Sequence, residues 1–375
     1  MDSSLLLLVI VVATALAFDF TNGFHDTANA MATTIATEAL PPRVAVAVAG
    51  VLNFVGAFIS LEVTLTIAED IVSPSEISLG VVFAGLVGAI SWNLAAWYFG
   101  LPSSSSHALI GGIVGATLVA QGLGAVNGAG ILTAVLLPAV VAPLLAAVVA
   151  AAVTFLAYWL VRGMDPDKAR RGYRWGQVGS GSLVALAHGT NDAQKTMGVI
   201  VLALVAYGTL PASGFEVPTW VIVAAATAIA LGTYFGGWRI IRTMGHRVTD
   251  IDTPQGFSAE TSSAAIIFAS SALGFPLSTT HVASGGVAGS GFGRYRHLRS
   301  VRWGVARNII LAWLLTLPGA AMLAGLAGLA VVVPGNSAVG AMVVGVLAAA
   351  GAAGLWLAAQ RAPVTPDNVN EAQKA

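Results

Sequence analysis

The chain has 375 residues, of which 57% are hydrophobic and only 9% are charged. Soluble domains carry about 25% charged residues, so this composition excludes an ordinary water-soluble fold and indicates a polytopic membrane protein. Lys+Arg 17 balances Asp+Glu 17, which argues against a nucleic-acid groove, and the absence of cysteine excludes disulfides, thiolate metal sites and thiol nucleophiles.

Apolar runs follow one another along the chain. The first run, 4–18, lacks the basic region of a cleavable signal peptide. We therefore expect this run to be the first half of a membrane segment, and we expect that segment to break at Gly23. Many later runs approach the roughly 20 residues of a spanning helix, and a lipid-exposed backbone favours helices, so we expect an all-α polytopic membrane protein with about 10–12 segments, some broken or re-entrant. The later runs are 44–61, 77–101, 106–120, 131–161, 175–208, 219–238, 257–275, 280–292, 301–330 and 338–360.

Two motifs occur twice, in the same order. NGFHDTANA at 22–30 is matched by HGTNDAQK at 188–195, and PSSSSH at 102–107 is matched by PLSTTH at 276–281. Self-similarity of this kind indicates an internal duplication. The predicted organisation is repeat 1 (1–161), a basic connector (162–174), repeat 2 (175–330), an additional C-terminal membrane helix (331–361) and a polar tail (362–375).

The basic residues predict how the two repeats are oriented. The connector 162–174 holds five of them and is therefore expected to be cytoplasmic. Loops 239–253 and 294–302 of the second repeat are rich in Arg, whereas their counterparts 62–76 and 121–130 contain no Lys or Arg. Basic charge that alternates between copies predicts an inverted-topology repeat, with the binding site at the repeat interface near the bilayer midplane.

Each repeat carries a polar cluster between apolar runs. A carboxylate at the bilayer centre costs at least about 2.5–3.5 kcal/mol, so Asp26 and Asp192 are expected to face the protein interior or water. The alternative is a solvated surface loop, but nothing obliges such a loop to recur at equivalent points of both halves. The clusters comprise Asn22, His25, Asp26 and Asn29 in repeat 1, and His188, Thr190, Asn191, Asp192, Gln194 and Lys195 in repeat 2.

The second motif of each repeat resembles the capped start of a helix. Ser103–Ser106 with His107 follow Pro102, and Ser278–Thr280 with His281 follow Pro276. Pro and a hydroxyl residue favour a helix N-terminus, whose first N–H groups have no intrahelical partner. With the positive end of the helix dipole they predict a site for an oxyanion. An ordinary capped helix at the membrane surface is the alternative.

Carboxylates that face an anion need a positive partner or a shared proton. Na⁺ held by the oxygens of Asp26, Asn29 and Asp192 would supply the first, since hard cations take oxygen ligands. A protonated Asp, or an Asp that accepts the hydroxyl of phosphate, would supply the second. Phosphate keeps a proton at neutral pH and sulfate does not, so a buried carboxylate would favour phosphate.

Two further residues are candidates with competing interpretations. Glu260 is a candidate for binding the coupling cation or relaying a proton, with Asn93 in its counterpart region SWNL, although a helix-end carboxylate can also reach solvent. Lys195 lies three residues after Asp192, a spacing that suits a structural ion pair as well as it suits substrate contact.

The paired motifs, together with GFSAE, resemble those of the inorganic phosphate transporter family, and most closely its bacterial low-affinity permeases. The resemblance covers about residues 20–320. It implies a symporter with Asp26 and Asp192 as indispensable carboxylates. Gln194 and Lys195 are similar to residues of the proton-driven members, which favours H⁺ over Na⁺ as the coupling ion. The resemblance also leaves open a divalent metal–phosphate complex as the transported substrate. The candidate phosphate ligands are Asp26, Asn29, Ser104, Ser105, Asn191, Asp192, Ser278, Thr279 and Thr280.

The predicted function is cation-coupled symport of phosphate into the cytoplasm by alternating access, in the inner cell membrane, by a protein that is not an enzyme. The predicted surroundings of the chain are the lipid bilayer, and the sequence does not decide between a monomer and a homodimer. Coupling is assigned to Asn22, Asp26, Asn93, Asp192 and Glu260, with accessory roles for His25, His107, His188, Lys195 and His281.

Four alternatives differ in chemistry. A proton-coupled sulfate permease would use the same scaffold. An intramembrane serine hydrolase would use Ser105 or Ser106 with His107 and Asp26, but the G-x-S-x-G motif is absent and duplication serves no hydrolase. The third alternative is a passive channel. The fourth alternative, a metal site made by the four motif histidines, has little support in the sequence, because none of these histidines is paired with another at i,i+3 or i,i+4.

Overall fold

The computed structural model describes residues 3–72, 77–331 and 337–371, and most of them lie in α-helices. This confirms the predicted all-α class. The last residues of the predicted tail, 372–375, lie outside the described part of the chain, as does Glu76 of the acidic loop. In the first half the helices are α1 (Ser3–Ala36), α2 (Pro42–Gly56), α3 (Glu62–Glu69), α4 (Leu79–Tyr98), α5 (Ser105–Gln121) and α6 (Gly128–Val161). In the second half they are α7 (Pro166–Tyr207), α8 (Thr219–Phe235), α9 (Trp238–His246), α10 (Thr253–Ala272), α11 (Thr279–Tyr295) and α12 (Trp303–Val331), followed by α13 (Ser337–Ala359).

Several helices have the length and composition of membrane spans. Among the described residues five qualify, namely α1, α4, α6, α12 and α13, and a sixth span results if α8 and α9, bent by 67° at a short break, are counted as one. Large apolar side chains are exposed along α6, α12 and α13, as expected of helices that face lipid. Helices α5 and α11, 17 residues each, are shorter than a full span, in keeping with the predicted re-entrant segments.

The helices recur in the same order in the two halves. A very long helix is followed by a medium one, a short one, a helix of 20 residues, a helix of 17 residues and another long one. The halves exchange their packing partners: α1 packs on α8 while α7 packs on α2, and α5 packs on α12 while α11 packs on α6. This reciprocal packing makes each half depend on the other for its core.

Glycines allow the closest of these crossings. A Cβ at Gly23 would stand 2.3 Å from the carbonyl oxygen of Ile229, and one at the equivalent Gly189 would stand 2.2 Å from that of Asn53. The predicted break at Gly23 is therefore wrong, because α1 runs without interruption from Ser3 to Ala36. A glycine inside a helix costs about 1 kcal/mol relative to alanine, and here it permits the backbone contact between helices that offsets this cost.

The connector between the halves is largely helical. Asp165 caps α7 by accepting the backbone N–H of Lys168 at 3.0 Å, and Pro166 takes the first helical position, where its missing N–H does no harm. At about 1.5 Å per residue, the 42 residues of α7 are roughly twice as long as the 30 Å hydrocarbon core is thick. A helix of this length extends beyond the hydrocarbon core.

The basic connector and the Arg-rich loops of the second half lie on one face of the molecule. The Nε atom of Arg174 donates to the carbonyl of Ala39 at 3.3 Å, which joins the connector to the end of α1. The ordered C-terminal segment reaches the same face, where Asn370 donates to the carbonyl of Ile35 at 3.2 Å and contacts His246 at 3.1 Å. The acidic end of α3 lies instead beside the 123–130 loop, where Asn127 donates its backbone N–H to the carbonyl of Ile71.

Candidate functional site

Asp26 and Asp192 lie in the middle of α1 and α7, and both are buried. His188 stands between them, with its Nε2 atom 3.0 Å from Oδ2 of Asp192 and 3.9 Å from Oδ2 of Asp26. The Nδ1 atom of His25 is 2.6 Å from Oδ1 of Asp26, and the ammonium of Lys195 pairs with Oδ1 of Asp192. Each carboxylate therefore has a basic side chain of the protein beside it, which reduces the cost of burying its charge.

The helix starts that face these carboxylates are capped in the same way. Ser104 accepts the backbone N–H of His107 at 3.1 Å, and Ser278 accepts that of His281 at 3.2 Å. The hydroxyl oxygens of Ser104 and Ser278, both predicted to contact phosphate, are thus used as N-caps, although each hydroxyl keeps a hydrogen to donate. The rings of His107 and His281 meet edge to face at 4.8 Å, so the two motifs come together at the interface between the repeats.

The start of α11 reaches both carboxylates. The hydroxyl of Thr279 donates to Oδ2 of Asp192 at 3.2 Å, and that of Thr280 donates to Oδ1 of Asp26 at 3.5 Å. Asn29 donates to both hydroxyl oxygens, at 3.2 and 2.9 Å. Residues predicted for phosphate binding from three separate segments are therefore within hydrogen-bonding distance of one another.

The start of α5 is held by the opposite repeat. The ammonium of Lys195 donates to the hydroxyl of Ser106 at 2.5 Å and to the carbonyl of Leu277 at 2.9 Å. Ser103 lies 3.4 Å from Nε2 of His25. Lys195 and Asn29 occupy equivalent positions three residues after their aspartates, so the same position carries a cation in one repeat and a neutral amide in the other.

Several buried polar atoms of the site have no hydrogen-bond partner among the described residues. They are the amide oxygens of Asn22, Asn29 and Asn191 and the hydroxyl of Ser105. Asn191 uses its amide nitrogen on the hydroxyl of Ser271 at 2.9 Å, so only its oxygen is free. Buried polar groups are normally paired, and atoms left unpaired at the meeting point of four motifs are what a polar ligand would satisfy.

Glu260 is fully embedded and does not reach solvent from a helix end. Its Oε1 atom accepts hydroxyls from Thr33 at 2.5 Å and Thr34 at 2.7 Å, and an amide N–H from Gln177 at 3.2 Å. Its Oε2 atom accepts the hydroxyl of Ser180 at 2.6 Å. Four donors stabilise this carboxylate.

The expected counterpart of Glu260 was wrong. Gly112 packs on the backbone of Gly85 in repeat 1 as Gly286 packs on that of Ala259 in repeat 2, which aligns Glu260 with Leu86 and not with the SWNL region. Asn93 is buried, and its two side-chain polar atoms have no partner among the described residues. An apolar helix offers no polar landmark that fixes its register from sequence, and this is why the alignment failed.

One group in the described ranges has the geometry to hold a metal ion: Asp26, His188 and Asp192 offer ligand atoms within 4.8 Å of one another. The ammonium of Lys195 already pairs with Asp192, so the site carries its own cation next to these oxygens. Of the remaining motif histidines, His25 contacts Asp26 from the side, whereas His107 and His281 contact each other and His281 packs against Trp313 at 4.0 Å between ring centres.

Sequence reasoning missed Asp19 and Asn53. Both are buried; Asn53 contacts Nδ1 of His188 at 3.1 Å and donates to the hydroxyl of Thr233 at 2.6 Å. Asp19 has a signal in the sequence, because an ionisable residue inside a membrane segment is a functional candidate by default. Asn53 is a lone amide in an apolar run, and no repeated motif marks it.

The sequence profile of the phosphate transporter family matches residues 22–324 of the chain. The chain belongs to this family. A probable low-affinity inorganic phosphate transporter of Mycobacterium bovis is 54% identical over 371 residues, which cover 99% of this chain and 88% of the relative. One of Bacillus subtilis is 43% identical over 336 residues, covering 87% and 98%. The match confirms the predicted family.

A solved structure, "The sodium-dependent phosphate transporter", superposes with a TM-score of 0.70 over 85% of this chain and 97% of that one. At 24% identity this likeness shows the fold alone. Because the relatives are transporters, the prediction that the protein is not an enzyme is confirmed, and the protein is a multi-pass membrane protein of the phosphate transporter family. The hydrolase hypothesis has no support in the site, where Ser106 hydrogen-bonds to Lys195 and Leu277.

Proposed function

We propose that the protein imports inorganic phosphate across the inner cell membrane as a cation-coupled symporter that works by alternating access. The observation that carries this proposal is the meeting of two capped, hydroxyl-rich helix starts with two buried carboxylates at the interface of the repeats. The mycobacterial and Bacillus relatives are named low-affinity inorganic phosphate transporters, which supports the same substrate.

The donor and acceptor groups suit a phosphate that keeps a proton. Hydroxyls of Thr279, Thr280 and Ser105 and the ammonium of Lys195 can donate to the anion, and Asp26 and Asp192 can accept its P–OH groups. Sulfate has no hydrogen to offer, so it would leave both carboxylates facing an anion without a bridging proton. Unpaired buried polar groups discriminate strongly between such analogues. We therefore place phosphate above sulfate as the substrate.

H⁺ is the coupling ion that the site favours. Na⁺ at Asp26, Asn29 and Asp192 would lie beside the ammonium of Lys195 and the imidazole of His188, and a second cation so close to a buried lysine is disfavoured by repulsion in a low-dielectric interior. The solved relative is named sodium-dependent, which keeps Na⁺ as the competing assignment to be tested.

The test is uptake of radiolabelled phosphate by proteoliposomes that contain the purified protein. A pH gradient alone is expected to drive accumulation, a Na⁺ gradient alone is not, and excess sulfate should compete weakly. Uptake that needs Mg²⁺ or Ca²⁺ would identify a metal–phosphate complex as the substrate. Sulfate uptake at the phosphate rate, or flux that neither saturates nor responds to any cation gradient, would contradict the proposal.

Opposite orientation of the repeats is part of the proposal. The chain has no cysteine, so single cysteines can be introduced at exposed Asp70, after α3, and exposed Asp250, after the equivalent α9. A membrane-impermeant maleimide is expected to label Asp250→Cys from the cytoplasmic side and Asp70→Cys from the outside. Labelling of both from the same side would exclude inverted topology.

A further inference from the structure

Asp19 differs from the other buried carboxylates of the described chain in having no partner. Its side chain is 0% exposed, and neither Oδ1 nor Oδ2 makes a hydrogen bond with a described residue. Asp26 has His25 and His188 beside it, Asp192 has His188 and Lys195, and Glu260 accepts four hydrogen bonds. Asp19 is thus the one carboxyl among them with neither an ion pair nor a hydrogen bond to a described residue.

The surroundings of Asp19 are polar but offer few ligands. Thr196 of α7 and Asn22 of α1 are polar side chains in these surroundings, and Asp192 and His188 are charged groups whose fields reach Asp19. The hydroxyl of Thr196 and the amide oxygen of Asn22 also lack hydrogen-bond partners among the described residues. A carboxyl, an amide oxygen and a hydroxyl are fewer than the six or so oxygens that a hard metal cation takes.

A buried carboxylate without a partner is costly, and in practice such a group becomes neutral by binding a proton. A protonated Asp19 can donate to the amide oxygen of Asn22, which satisfies an unpaired atom of each residue, while the hydroxyl of Thr196 can donate to a carboxyl oxygen of Asp19. Asp19 lies seven residues before Asp26 on the same helix, about 10 Å along its axis, so a proton there is near the phosphate site without occupying it.

We propose that Asp19 binds the transported proton, so that proton and phosphate occupy separate, adjacent sites. This inference rests on the proposed function and replaces Asp26 and Asp192 as the expected proton carriers. A proton on Asp19 removes a negative charge near Asp192, which lowers the cost of bringing an anion to the site. The coupling is reciprocal, so bound phosphate also raises the affinity of Asp19 for its proton.

The decisive variant is Asp19→Asn, which imitates the protonated state permanently. Phosphate accumulation driven by a pH gradient is expected to fall by about 10-fold or more, while phosphate–phosphate exchange without a gradient stays within about two-fold of wild type and loses its dependence on pH. In this variant, the proton entry that accompanies phosphate uptake, measured with a pH-sensitive dye trapped inside the proteoliposomes, should also vanish. Asp19→Glu keeps a carboxyl and is expected to restore gradient-driven uptake in part.

A second variant covers the case in which Asp19→Asn does not fold. Thr196→Val removes a hydroxyl that can stabilise ionised Asp19, so the pH midpoint of uptake should move to higher pH. Wild-type proton coupling in Asp19→Asn, loss of its phosphate exchange when it is folded, or an unmoved midpoint in Thr196→Val would overturn the assignment. Wild-type protein that exchanges phosphate but responds only to Na⁺ would overturn the proton site alone, whereas wild-type protein that exchanges no phosphate would overturn the proposed function.

Discussion

Replacing Asp192 by Asn is expected to reduce phosphate uptake by about 100-fold or more. Charged groups that lose their hydrogen-bond partner in a protein interior cost several kcal/mol, and each 1.4 kcal/mol corresponds to a tenfold change in affinity. The substitution removes the carboxylate that His188, Lys195 and Thr279 contact. Asp26→Asn removes the partner of His25 and Thr280 and should have a similar effect. The measurement is the initial rate of radiolabelled phosphate uptake by proteoliposomes.

Asp70→Asn is the matched control, since Asp70 is exposed and lies outside the site. Size-exclusion profiles and thermal melting in detergent separate loss of transport from loss of fold. Uptake at the wild-type rate by folded Asp26→Asn or Asp192→Asn would remove that carboxylate from the phosphate site.

Replacing Lys195 by Met is expected to lower both stability and uptake. Breaking a buried ion pair by removing one partner costs about 3–5 kcal/mol, because the other charge is left without compensation. The same ammonium holds Ser106 and the carbonyl of Leu277, so the start of α5 and the residue before the α11 cap would lose a shared donor. We expect a lower midpoint of thermal denaturation and uptake reduced by at least about 10-fold.

The double variant Lys195→Met with Asp192→Asn distinguishes the two roles of the lysine. With both charges removed, thermal stability should recover relative to Lys195→Met alone, whereas uptake should stay low because the anion has lost its cation and its acceptor. Normal uptake by Lys195→Met would make the lysine purely structural. A double variant no more stable than the single one would show that the ion pair is not the source of the destabilisation.

The repeated motifs predicted the elements of the site because each motif carries its own chemistry. Asp26 and Asp192 could be paired from sequence since polar residues inside apolar runs are rare and here occur twice. The caps of α5 and α11 could be predicted from Pro and Ser because capping is a local interaction.

What the sequence could not predict depends on contacts between distant segments. Gly23 was expected to break a helix. Its true role, close packing against Ile229, could not be predicted because Ile229 is about two hundred residues away in the chain. The alignment of Glu260 with Leu86 follows from contacts between helices, which the sequence does not reveal. Asp19 has no counterpart in the second repeat, where Ala185 holds the equivalent place, so duplication gave no signal for it.

The pairing of Asn29 with Lys195 has a consequence for the two sides of the membrane. If the halves interchange their conformations during the cycle, the ammonium and the amide do not interchange with them, so the inward-open state is not a mirror of the outward-open state. The half-saturating phosphate concentration measured from the cytoplasm therefore need not equal the one measured from outside. The concentration ratio that the protein can sustain is still fixed by the ion gradient alone.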